Sequence, residues 1–232
     1  MAHPIDFISD FLQHDLSQRE DVETVVLCGS YANGKAAEHS DVDLCYIGAF
    51  DHFQRESIYY CGREFQIMIA PWAWYEHVVK DYERKGNIAT ITIMLATGRC
   101  LIGDNGRWRE LQALAHRFYH EGPKAPSADE TRKLRVQLTD LWEDYLDIID
   151  DREKEWLSFV ILQECVNTLF VTRRWWAVKP KYQLKEIKSR NVSIAELLER
   201  CLASPGSKEE LETLCSYVLE PIGGWMKEGW KA

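Results

Sequence analysis

The stretch GSYANGKAAEHSDVDL, residues 29–44, constrains the fold more than any other part of the chain. A β-rich run, VETVVLC (22–28), leads into it, and Val42 to Ile47 continues out of it as a second β-rich run. These residue types dictate a local order of strand, glycine, short helix from near Ser30, Asn33-Gly34 turn and strand. Gly29 lets the backbone approach a ligand closely, and Ser30 offers a hydroxyl beside backbone N–H groups at a helix start, where phosphate is favoured. In the second strand Asp41 and Asp43 alternate with Val42 and Leu44. The two carboxylates then share a face, with Cα atoms about 6.5 Å apart. Carboxylates so placed can hold the ions of a two-metal site, which clamp the attacking and leaving oxygens of a displacement.

The first seven residues of the stretch also match GxxxxGK, the pattern of a phosphate-cradling P-loop. Ala36 stands where that pattern needs a hydroxyl for magnesium, and no alternation of strands and helices follows. The aspartates, not the lysine, are therefore the expected metal-handling groups.

Composition narrows the partners. Lys and Arg number 28 against 37 Asp and Glu, a net charge of −9, which opposes general nucleic-acid binding because that needs a basic footprint. The seven cysteines (28, 45, 61, 100, 165, 201 and 215) are scattered, with no CxxC pair and no histidine at metal-ligand spacing. They read as small buried hydrophobes in a reduced compartment. The N-terminal MAHPIDFISDFLQHDL carries acids where a signal peptide carries basic residues. The uncharged run from Ile88 to Gly98 is too short to span a bilayer. A cytoplasmic protein with no membrane partner is the expectation, and a homodimer is compatible with it.

Periodicity supplies an α+β first half and an all-α second half. Ile5, Ile8, Leu12 and Leu16 mark a helix. Ser57 to Tyr60, Cys61-Gly62 and Glu64 to Ala70 mark a hairpin ended by Pro71, and Trp72 to Arg84 turns helical. Ile88 to Leu95 fits strand and helix alike. GPKAPS (122–127) breaks every pattern and is the boundary between expected domains at 1–122 and 128–232. Beyond it, Leu134, Leu138, Leu141, Tyr145 and Ile148 form one apolar helical stripe. Further helices are expected over about 156–175, 193–202 and 207–219, with Pro180 as an interruption. Asp140, Glu143, Asp144, Asp147 and Asp151 form an acidic stripe, a solvated face or an attraction for a cationic molecule. Trp175 and Trp176 could fill a core or stack on a ligand. Lys179 and Lys181, flanking Pro180, are candidates to reach a triphosphate as point charges.

The stretch 29–44 resembles the GSxxxG…SDxDL signature of the nucleotidyltransferase superfamily that includes DNA polymerase β, and within it the minimal and antibiotic-modifying branch. ATGRCLIGDNGRW (96–108) is similar to the segment that closes the catalytic domain there, and the half holding WWAVKPKYQLKEI is similar to the helical domain that follows. The resemblance implies a mixed sheet with helices, then a helical bundle, and it favours a helix for Ile88 to Leu95. It implies magnesium-dependent transfer of a nucleoside monophosphate, AMP from ATP, to a hydroxyl of a small molecule or a protein. Asp41 and Asp43 would hold Mg2+, and Gly29 and Ser30 the triphosphate. The family places a third acid on a neighbouring strand, ahead of a run of aliphatics. Here Gln66 takes that place, which a base or metal ligand with charge cannot fill as glutamine. Glu64, two residues earlier on the same face, is the candidate substitute. If Glu64 does not serve, the alternative is a weak or inactive enzyme that binds nucleotide or a partner.

Overall fold

The computed structural model describes residues 6–227 and 229. The chain divides between Gly122 and Pro123 into two compact units. Ile5, expected on the first helix, lies outside the described residues.

The first unit opens with α1 (Asp6–Leu16), β1 (Val22–Cys28) and the short α2 (Gly29–Ala32). Strands β2 (Val42–Gly48), β3 (Gln54–Tyr60) and β4 (Arg63–Pro71) follow. Then come α3 (Trp72–His77), a π-helical turn (Val78–Tyr82), α4 (Glu83–Gly86) and α5 (Thr90–Thr97). A short strand β5 (Arg99–Ile102) and α6 (Gly106–Glu121) complete it. The sheet order is β3-β4-β2-β1-β5, with β2 and β4 parallel and the other pairs antiparallel.

Alternation along the strands feeds two cores. Val25, Leu27, Leu44, Tyr46, Phe65, Ile67 and Ile69 point to one face, where Ile8, Phe11 and Leu12 of α1 cover them at helical spacing. Phe11 stacks on Phe65 with ring centroids 3.8 Å apart. Val26, Cys28, Cys45 and Ile47 point to the other face, onto Trp72, Tyr75, Leu95, Trp108 and Leu111. A polar network pins α1 to the sheet. The Tyr46 hydroxyl donates to Asp15 at 2.8 Å, and Arg19 donates from Nε and Nη2 to the same carboxylate at 2.9 and 3.2 Å and also reaches Glu56. Asp15→Ala would strand the buried Tyr46 hydroxyl and one side of Arg19, an expected loss of about 1–3 kcal/mol measurable by urea unfolding.

The hairpin register is fixed by its turn. Cys61 (φ 48°) and Gly62 (φ 78°) are both left-handed, as a two-residue turn between twisted strands requires. Tyr60 then faces Arg63, Tyr59 faces Glu64, and Ser57 faces Gln66.

The second unit is helical: α7 (Ala128–Asp147), α8 (Asp151–Thr172), α9 (Pro180–Arg190), α10 (Val192–Ala203) and α11 (Lys208–Leu219). Ser127 and Glu130 cap α7 reciprocally. Helix α8 is central, burying Ile161, Leu162, Cys165, Val166, Leu169 and Phe170 against the other helices.

Four sequence expectations change. Asp41 lies one residue ahead of β2 rather than within it. Helix α8 starts at Asp151, not near Trp156, because Asp150 accepts the N–H groups of Arg152 and Glu153 at 2.9 and 3.0 Å; Trp156 itself is exposed. Pro180 begins α9 instead of interrupting the chain, since proline fits a first helical turn whose N–H has no partner. Strand β5 and helix α6 were not anticipated from the periodicity. The ambiguous segment around Ile88 to Leu95 is helical from Thr90.

Candidate active site

The end of β1 and the start of β2 lie side by side. In their antiparallel register Cys28 is paired with Asp43, so the chain must turn away at Gly29 directly beside the aspartate. Gly29 has φ +63°, and a Cβ placed on it would fall 2.1 Å from Asp43 Oδ2. Only glycine fits on both counts, and the half-buried Asp43 carboxylate therefore sits against the backbone of the loop. Local hydrogen bonds shape the loop itself. Asn33 donates from N and Nδ2 to the Gly29 carbonyl at 3.3 and 3.0 Å, Lys35 N to the Ser30 carbonyl at 2.9 Å, and Ala37 N to Ser40 Oγ at 2.8 Å. Arg63, at the start of β4, donates from Nη1 to the Tyr31 hydroxyl at 2.8 Å and ties the loop to the hairpin.

Lateral pairing builds a polar row across four strands: Cys28, Asp43, Gln66 and Ser57. Gln66 thus stands immediately beside Asp43. Its Oε1 accepts from Arg55 Nη2 at 3.1 Å, and its Nε2 donates to Glu64 Oε1. Glu64 also accepts from Ser57 Oγ at 2.6 Å and from the Tyr59 hydroxyl at 3.4 Å. Asp41 and Glu64 meet in another sense. Both line a polar depression of about 340 Å³ together with Glu38, His39, Tyr59 and Arg63. Three carboxylates against one guanidinium make that depression attractive to cations.

Asp41 is exposed and Asp43 half-buried, two carboxylates at the start of β2. Among the described residues no group of three or more His, Cys, Asp or Glu side chains gathers as a cage. That donor set fits magnesium, which takes one or two protein carboxylates and completes its shell with water and substrate phosphate. Behind the loop Cys28 lies fully buried, its Sγ 3.7 Å from that of Cys45. The hydrogen bond to Cys45, burial and the nearby Asp43 all push the Cys28 thiol well above its ordinary pKa. It stays neutral, so it is part of the core and not a nucleophile.

Lys181 belongs to the second unit, exposed on α9 with its Nζ 5.0 Å from the centre of the Tyr182 ring. Trp176 is buried and Trp175 is packed against the helical core, where Arg190 lies over its ring. The acidic residues 140, 143, 144, 147 and 151 are all exposed. Sequence reasoning missed Tyr31, Arg63, Ser57, Arg55 and Tyr59. The Cys61-Gly62 turn carried the signal for two of them, because its register alone aligns Ser57 with Gln66 and Tyr59 with Glu64.

Residues 10–89 match the nucleotidyltransferase domain family. Among solved structures, a nucleotidyltransferase-like protein from Exiguobacterium sibiricum 255-15 shares the fold with a TM-score of 0.50. That likeness covers 92% of this chain and 72% of the other at 11% identity. No curated protein matches the chain.

Proposed function

We propose, for a chain whose first unit belongs to the nucleotidyltransferase superfamily, that it transfers a nucleoside monophosphate, AMP from ATP, to a hydroxyl. The acceptor is a small molecule or a protein. The observation that carries this reading is the interlock of Gly29 with Asp43, in which the glycine's missing side chain is the space taken by the carboxylate. A phosphate held on the loop backbone is thereby placed next to a metal-binding carboxylate.

In this reading Gly29 and Ser30 bind the triphosphate, and Asp41 and Asp43 hold magnesium. Bound there, the metal supplies Lewis-acid charge that stabilises the oxygens of an in-line displacement. Arg63 fixes the loop through Tyr31, and the loop orients the α-phosphate toward the depression. Glu64 takes the proton of the acceptor hydroxyl, held in place by Ser57 and Gln66. The first unit carries the chemistry. The exposed acidic face of the second unit is a candidate surface for a cationic acceptor.

Pyrophosphate release from ATP and magnesium, measured over a panel of hydroxylated and polyamine-containing acceptors, tests this reading. Gly29→Ala is expected to weaken nucleotide binding and to cost about 1–3 kcal/mol of stability, from the left-handed backbone alone. Normal nucleotide affinity in this variant, by calorimetry, would contradict the role of the loop.

A second reading is favoured by one specific observation: the residue paired with Asp43 is Gln66, which can neither hold charge nor accept a proton. The chain would then bind nucleotide without turning it over. Magnesium-dependent ATP binding with no pyrophosphate released on any acceptor is the result that selects it.

A further inference from the structure

We propose that Tyr59 is a self-modification site, whose phenolic oxygen receives the nucleoside monophosphate from a triphosphate bound at the same site. The inference rests on the nucleotidyl-transfer reading and adds an acceptor carried by the chain itself.

Three observations converge on this side chain. Tyr59 is 75% exposed on β3, an edge strand, so its ring is available to a ligand and is not used to fill a core. Cross-strand pairing sets it opposite Glu64, and its hydroxyl points to Glu64 Oε2 at 3.4 Å. It also lines the acidic depression that holds Asp41. A hydroxyl, a carboxylate able to take its proton and one of the two metal-binding aspartates therefore share one concavity. The two neighbouring tyrosine hydroxyls are differently engaged, and Ser57, which shares the Glu64 carboxylate, does not line the depression. Tyr60 donates to Asp10 at 2.6 Å, and Tyr31 accepts from Arg63 at 2.8 Å. Ser57 donates to Glu64 at 2.6 Å from the row beside Gln66.

The step balances with the triphosphate as its only co-reactant. Tyr59 Oη attacks the α-phosphorus and an O–P bond forms. The bond from that phosphorus to the bridging oxygen breaks, and pyrophosphate leaves with the electron pair. The phenolic proton passes to Glu64. The product is a phosphodiester on the hairpin, with the nucleoside lying over the depression, so modification would close the site to a second acceptor.

The test is incubation of the full chain with ATP and magnesium and no added acceptor, read by intact mass and by peptide mapping, beside calorimetry of ATP binding. The expected result is one AMP per chain on Tyr59, at a first-order rate independent of protein concentration. Tyr59→Phe should take up no AMP while still binding ATP, and Glu64→Gln should slow labelling by about 10²–10⁴-fold with binding retained. Magnesium-dependent ATP binding with no label, or with label on Ser57 or any residue other than Tyr59, overturns the self-modification and leaves the transfer reading standing. Absence of ATP binding overturns both.

Discussion

Asp43→Asn is expected to lower metal-dependent nucleotidyl transfer by about 10²–10³-fold while leaving the fold unchanged. The amide has the size of the carboxylate, so it still fits the space over Gly29 that a Cβ would otherwise occupy. The strand pairing to Cys28 and Gln66 involves only backbone and is untouched. What disappears is one negative charge beside the loop, and with it the ability to share a dication with Asp41. The prediction is checked by single-turnover pyrophosphate release together with a melting curve. Full activity in a folded variant would remove Asp43 from the chemistry. A large drop in melting temperature would mean instead that the lost activity reports unfolding and not the missing charge.

Glu83→Ala is expected to cost the first unit about 2–4 kcal/mol of stability. Glu83 is buried, and its two oxygens accept the N–H groups of Ile91 and Thr92, each at 2.7 Å. These are donors of the first turn of α5, which have no partner within the helix. Ala89, the residue in the capping position, has no side chain to offer them. Removing the carboxylate strands two buried donors beneath the helix that packs on β1, and urea unfolding would report the loss.

The same residue gives a signed pH dependence. Burial raises the Glu83 pKa above its ordinary value, against the pull of the backbone N–H groups. The protonated form is thus favoured by folding. This contribution is fully present below the ordinary carboxylate pKa of about 4.3 and is lost as pH rises through the raised value. Relative to Glu83→Gln, which does not titrate, the wild type should lose stability over that interval and then level off. A difference between the two that rises with pH would reverse the assignment.

The loop between β1 and β2 was legible in GSYANGK and SDVDL, because a strand end, a glycine and a second strand are local features, while Asp41 fell one residue outside that strand. The apolar stripes of α1 and α7, and the ranges of α10 and α11, were legible for the same reason, each being a single helix covering a single core. Other features were written in caps rather than in apolar period. Helix α6 starts where Asn105 accepts the Trp108 N–H at 3.0 Å, and α8 starts where Asp150 caps it. Strand β5 is four residues at a sheet edge and exists because β1 pairs with it. The relation of Glu64 to Gln66 was half legible. Their common face followed from spacing, whereas the bond between them and the placing of Gln66 beside Asp43 depend on the parallel register of β2 and β4, which no local pattern encodes.

The central claim is that the loop and the two aspartates form one binding site for a metal-nucleotide complex. The most direct measurement is calorimetric titration of the full chain with ATP, in magnesium and again with the metal chelated, repeated on the variant carrying Asp41→Asn and Asp43→Asn together. Saturable binding in magnesium, abolished by chelation and by the double substitution, is the predicted result. Equal binding with the metal removed, or undiminished magnesium-dependent binding by the double variant, would contradict it.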